Sequence, residues 1–184
     1  DPYIGCVITD CDKSMALLYD YLYDLGHRNI VYLNGDRQKY ITEARIASLR
    51  KAMEQKGLKF DANCLIQSRY YSIQGGYASM AEALRRVPRP TAVISSDDYS
   101  AVGAIAAAKD MGLCVPGDVS IVGFDGIEIT QLISPKLTTI KQDTTGMGAK
   151  AAESLIKQIL GFNAGAKPEN IVLEPKLLIG ESCR

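Results

Sequence analysis

The sequence predicts an α/β fold: a mostly parallel sheet flanked by helices. Short β-rich runs alternate with amphipathic helical stretches along the chain, and helices between strands call for crossovers that join parallel strands. Glycine or proline stands at most of the transitions, which is where helices and strands stop.

In chain order, residues 3–9 (YIGCVIT) read as a strand. Residues 13–25 carry Leu18, Leu22 and Leu25 at helical spacing, with Gly26 in the C-cap position. Residues 29–34 (NIVYLN) form the next strand. Residues 42–56 place Ile46, Leu49 and Met53 on one helix face and stop at Gly57. A strand follows at 64–69, then a helix at 75–86 with Tyr77, Met80 and Leu84 turned inward. Pro88 and Pro90 end that helix, and TAVISS at 91–96 reads as a buried strand. Residues 98–111 are Ala-rich and helical, closed by Gly112. Strands are expected at 119–124 and 137–142, a helix with Met147, Leu155 and Ile159 aligned at 146–160, and short strands at 171–173 and 177–179 on either side of Pro175.

Composition narrows the function. The 184 residues hold 21 Lys+Arg and 21 Asp+Glu, a formal net charge of zero. A balanced chain offers no electrostatic footprint for nucleic acid or an anionic membrane. No apolar run approaches the ~20 residues of a membrane helix, and no signal-peptide pattern opens the chain. The start, Asp1-Pro2-Tyr3, reads as the interior of something longer. The 5 cysteines are odd in number and none has CxxC spacing, and there is 1 histidine. A disulfide framework or structural zinc is therefore not expected; free thiols in a reducing cytoplasm are.

In an open parallel sheet, ligands bind beyond the carboxyl ends of the strands, against helix N-termini. The residues in those positions are Asp10, Tyr70 and Tyr71, Asp97 and Asp98, Asp125, and Gln142 with Asp143; Arg45 stands about one turn into the helix after NIVYLN. Carboxylates accept from paired hydroxyls, an Arg fork donates in a plane and an aromatic face covers a ring. That set suits a polyhydroxylated small molecule. Taken singly, each Asp at a strand-to-helix turn is as well explained as an N-cap, and Tyr71 as packing.

Catalytic and cofactor templates fare poorly. His27 follows a helix-ending Gly and reads as part of that turn. There is no GxSxG and no Walker A sequence. Residues 146–151 match GxGxxA, but four residues separate the glycine from the preceding strand and the acidic Glu169 falls in a loop, so Thr144 or Thr145 capping a helix is the better reading. Asp97 and Asp98 point different ways from a turn, which argues against a metal. No cofactor, no metal and no enzymatic role are expected.

Longer motifs carry a resemblance. Leu25-Gly26-His27-Arg28-Asn29-Ile30, Gly35 and Arg45-Ile46-Ala47-Ser48 are similar to the GHR…G…RxxG signature of the LacI/GalR transcriptional regulators. Residues 90–103, 115–125 and 134–142 resemble the family's PTAx…NDxxAxG, VPxDVSVVGFD and SPxLTTIxQ segments, and Met147-Gly148 resembles the MG that follows. The resemblance implies a periplasmic-binding-protein-like effector domain with two lobes around a cleft. Residues 14–141 and 170–184 would form the C-terminal lobe; residues 1–13 and 142–168 would be crossover segments of an incomplete N-terminal lobe. Arg45 would grip the effector, Tyr71 stack on it, and Asp125 accept from its hydroxyls or ring nitrogens. Asp97 stands where Asn is usual, Ser48 where Gly is usual, and Asp10 and Gln142 would lie near the crossover.

The implied function is sensing a small-molecule effector, a sugar or a purine-like ring, by a homodimeric, cytoplasmic regulator. DNA contact would come only through a domain outside this chain. A solute-binding receptor for uptake shares the fold, and a nicotinamide enzyme at Gly146–Gly148 is the third reading.

Overall fold

A computed structural model describes residues 5–160 and 170–184. The first two residues of the strand expected at 3–9, residues 161–168 of the expected crossover segment and Glu169 lie outside the described residues. The elements are β1 (Cys6–Thr9), α1 (Cys11–Asp24), β2 (Ile30–Asn34), α2 (Tyr40–Gln55), β3 (Leu65–Gln67), α3 (Ile73–Leu84), β4 (Ala92–Ser95), α4 (Asp98–Asp110), β5 (Ser120–Asp125), α5 (Ile129–Leu132), β6 (Thr138–Lys141), α6 (Thr144–Ile159), β7 (Asn170–Leu173) and β8 (Lys176–Leu178).

Six strands form the main sheet in the order β3-β2-β4-β5-β6-β8. All pairs are parallel except β6–β8, which is antiparallel. Period-two alternation sorts the strand side chains into two cores. Val31, Leu33, Val93 and Ile121 pack against the small-residue face of α4 and against Met80 and Leu84 of α3. Tyr32, Ile94, Val122, Phe124 and Ile140 face α1 and α2, where they meet Met15, Leu18, Leu22, Ile46 and Leu49. The order reverses between β2 and β4, because the chain steps out to edge strand β3 and returns on the other side. Such a switch point leaves a crevice at the carboxyl ends. His27 fixes the turn after α1: its ring bonds Thr91 Oγ1 at 3.0 Å, Ser120 Oγ at 2.9 Å and the Arg184 carbonyl at 3.2 Å.

A second sheet pairs β1 with β7 in parallel, beside α6. This corrects the expected division, in which 170–184 belonged wholly to the larger unit. Residues 170–173 pair with Cys6–Thr9 instead, and only the chain beyond them returns to the main sheet through β8.

Helices α1, α2, α3 and α6 each begin two residues earlier than the periodicity indicates. For α1, α3 and α6 the reason is the cap. Asp10 accepts from the Lys13 amide, Ser72 from Gly75 and Asp143 from Gly146, each at 2.9 Å. The expected cap at Thr144 or Thr145 is thus corrected to Asp143.

Candidate functional site

The crevice holds a cavity of about 510 Å³. Of the candidate site residues, Arg45, Tyr71 and Gln142 line it, together with Ile8, Thr9, Cys11, Lys39, Ile41, Tyr70, Phe124 and Met147.

Arg45 is 6% exposed. Its Nη1 donates to the Ser96 carbonyl at 2.7 Å, and its guanidinium lies 3.5 Å from the centroid of the Phe124 ring. The Nε–H has no hydrogen-bond partner among the described residues. A buried guanidinium over an aromatic face is held in one place by packing and by its Ser96 bond.

Tyr70 and Tyr71 follow β3. The Tyr70 hydroxyl shares a hydrogen bond of 2.9 Å with Thr42 Oγ1. Its ring lies against Gly35, where any β-carbon would come within 2.0 Å of Tyr70 Cε2. The glycine of the GHR…G signature therefore makes room for an aromatic wall. Tyr71 sits at φ 55° and is 69% exposed, with its ring centroid 6.0 Å from that of Tyr70. Among the described residues, Asp125 is the other non-glycine residue with positive φ, at 113°. Strained backbone of this kind gathers at ligand sites.

The expected acids divide. Asp125 stands one layer behind the lining: its Oδ1 accepts from Gln142 Nε2 at 2.6 Å, and Gln142 Oε1 accepts from Thr9 Oγ1 at 2.7 Å. This chain of bonds ties the end of β5 to β1. Burial pushes the Asp125 carboxyl up to about 6, against the pull of Arg45 and of the Gln142 bond.

Asp97 does not line the cavity. It is 1% exposed and accepts from the Tyr71 amide, Ser96 Oγ, the Ser100 amide and Ser100 Oγ. It is the N-cap of α4, and it holds the Tyr71 backbone in place. Asp10 caps α1 and lines a separate pocket of about 250 Å³ with Asp12, Ser48 and Lys51. As direct ligand groups, both expectations are corrected: the helix N-termini claim these carboxylates.

Sequence reasoning missed Ile41, Phe124 and Lys39. Ile41 is one turn before Arg45, and Phe124 alternates with Val122, so spacing could have found both. Nothing in the local pattern marks Lys39.

The geometry defines an α/β unit with a ligand cavity at the carboxyl edge of its sheet, beside the switch in strand order. The chain belongs to the periplasmic binding protein-like domain family, whose profile matches residues 19–183, in the form found in LacI/GalR regulators. It is 35% identical over 176 residues to the HTH-type transcriptional repressor PurR of Escherichia fergusonii, a match covering 96% of this chain and 51% of that protein. The chain thus spans about half the length of the curated relatives it matches. Among solved structures, a LacI family transcriptional regulator from Enterococcus faecium with bound ribose superposes with a TM-score of 0.90 at 28% identity, over 100% of this chain and 67% of that one. The transcriptional regulator CelR in complex with cellobiose gives 0.86 at 26% identity, over 98% and 54%.

Proposed function

We propose that this chain is the effector-binding part of a LacI-type transcriptional regulator, sensing a small sugar. The reading rests on one observation: a cavity of about 510 Å³ lined by both the buried Arg45, whose guanidinium lies over Phe124, and the exposed ring of Tyr71. The ribose- and cellobiose-bound neighbours support a sugar. The chain acts as a homodimer in the cytoplasm and is not an enzyme; DNA is contacted through a domain outside it. Effector binding shifts the arrangement of the lobes, which works as a signal only if the two arrangements bind effector unequally.

A thermal-shift screen of the intact protein against sugars and nucleobases tests this. A sugar should raise the melting temperature, and Arg45→Ala should abolish the shift. A shift that survives Arg45→Ala would overturn the assignment of the cavity. Nucleobases are in the screen because a planar ring also suits the Tyr70–Tyr71 wall.

A further inference from the structure

We propose that Asp97 is a positioning residue of the effector cavity: its carboxylate fixes the backbone of Tyr71 and so sets the aromatic wall relative to Arg45. The proposal rests on the effector reading above and deepens it.

The corner between β4 and α4 bonds to both groups on which that reading relies. The Ser96 carbonyl accepts from Arg45 Nη1 at 2.7 Å, and Asp97 Oδ2 accepts from the Tyr71 amide at 3.0 Å. Ser96 and Asp97 are each 1% exposed. A close-packed corner has little room to move, so what is bonded to it is held in place too. Arg45 comes from α2 and Tyr71 from the loop after β3, two elements that this one corner joins.

Tyr71 needs holding. Its φ of 55° lies in the left-handed region, which a bulky side chain rarely occupies and which persists only where the surroundings impose it. The residue is 69% exposed, so packing around its ring does not supply the constraint. Hydrogen bonds to the start of α4 do. Ser100 Oγ donates to the Arg69 carbonyl at 3.1 Å, two residues before the bond from Tyr71 to Asp97.

A carboxylate suits two tasks at once. Oδ1 accepts from the Ser100 amide at 2.9 Å, which caps α4, while Oδ2 accepts from the Tyr71 amide and lies near Ser96 Oγ and Ser100 Oγ. A backbone N–H can only donate, so each side of the group must present an acceptor. Asn would turn its NH2 towards one of the two amides. Ser offers one oxygen, enough for a cap but not for both. Capping α4 therefore accounts for one oxygen of Asp97, and Tyr71 for the other.

Asp97→Ser in the intact protein separates the tasks, with Asp97→Ala as the variant that lacks both. Asp97→Ser should melt close to the parent by circular dichroism, and Asp97→Ala lower. In both, hydrogen exchange at residues 69–72, followed by mass spectrometry, should speed up by about tenfold or more. Ribose, glucose, cellobiose, adenine and guanine are the calorimetric probes. Any that binds the parent should bind Asp97→Ser about tenfold more weakly. Tyr71→Asn, which takes the left-handed backbone more readily and has no ring, should weaken the same probe, and adding Asp97→Ser to it should cost nothing further. If Asp97→Ser leaves the exchange or the affinity unchanged, or if its effect on affinity persists beside Tyr71→Asn, Asp97 is a cap alone: the proposal falls and the effector reading stands. If no probe binds the parent, the effector reading falls and takes the proposal with it.

Discussion

At the scale of the residue, the carboxylates behind the cavity set a pH dependence whose sign can be worked out. Asp98 is fully buried, accepting from Thr139 Oγ1 at 2.6 Å and from the Ile127 amide at 2.9 Å. Burial pushes its carboxyl up to about 7, although both bonds pull the other way. The folded chain thus holds a proton where the unfolded chain, with an ordinary pKa of about 3.9, has lost it. The stability tied to this group is fully present below about pH 3.9 and is lost as pH rises through about 7. Asp125 acts in the same direction over a window ending near 6. Asn at position 98 mimics the protonated acid: its carbonyl can keep the Ile127 bond, and its amide can donate to Thr139 Oγ1, a hydroxyl free to rotate. The melting temperature of Asp98→Asn relative to the parent should therefore be distinctly higher at pH 7.5 than at pH 4.5. Melts followed by circular dichroism check this, and equal differences at the two pH values would refute it.

At the scale of the element, α3 and α4 approach so closely that two glycines are obligatory. A β-carbon on Gly76 would lie 2.0 Å from the Ser100 carbonyl oxygen, and one on Gly103 would lie 1.9 Å from that of Ile73. Backbone cannot yield as a side chain does, so overpacking, typically 1–3 kcal/mol, outweighs the ~1 kcal/mol that Gly→Ala gains inside a helix. Gly103→Ala should destabilise by about 2 kcal/mol. The same change at Gly148 in α6, where nothing lies within 4 Å, should stabilise by up to about 1 kcal/mol. Urea melts of both variants check the opposite signs. Helices of this kind were legible because their 3.6-residue period is written in Leu18 and Leu22 or Ile46 and Leu49. Their starts were not, since an Asp after a strand is the same residue whether it caps a helix or holds a ligand: at Asp10 and Asp97 the sequence leaves both readings open, and in the structure both cap helices. For the cavity lining, Tyr71 and Gln142 could be placed from the rule that ligands sit at strand carboxyl ends, and Arg45 from its position one turn into the helix after β2. Lys39 and Met147 depend on how α2 and α6 are set against the sheets, which no local pattern encodes. The apolar run in β7 carries no sign of which sheet it joins, so its place beside β1 could not be read either.

At the scale of the whole molecule, the six-stranded sheet is covered on both faces, but α6 meets only the small β1–β7 sheet and none of its residues is fully buried. Leu155, Ile156, Ile159 and the adjoining Leu160 lie at helical spacing and are 57%, 54%, 73% and 63% exposed. A helix of this length is marginal in water unless its apolar stripe is packed. Each large apolar side chain withdrawn from water contributes about 1.5–3 kcal/mol, so four such side chains outweigh a substantial part of the entropy lost on association. The 184-residue chain, taken alone, is therefore expected to pair through α6 with a second copy. Size-exclusion chromatography with light scattering should return at least twice the monomer mass at tens of micromolar. Ile156→Lys combined with Ile159→Lys should return the monomer, while near-ultraviolet circular dichroism from the tyrosines of the main core stays unchanged. A parent chain that runs as a strict monomer at that concentration would show that the stripe on α6 is tolerated in water.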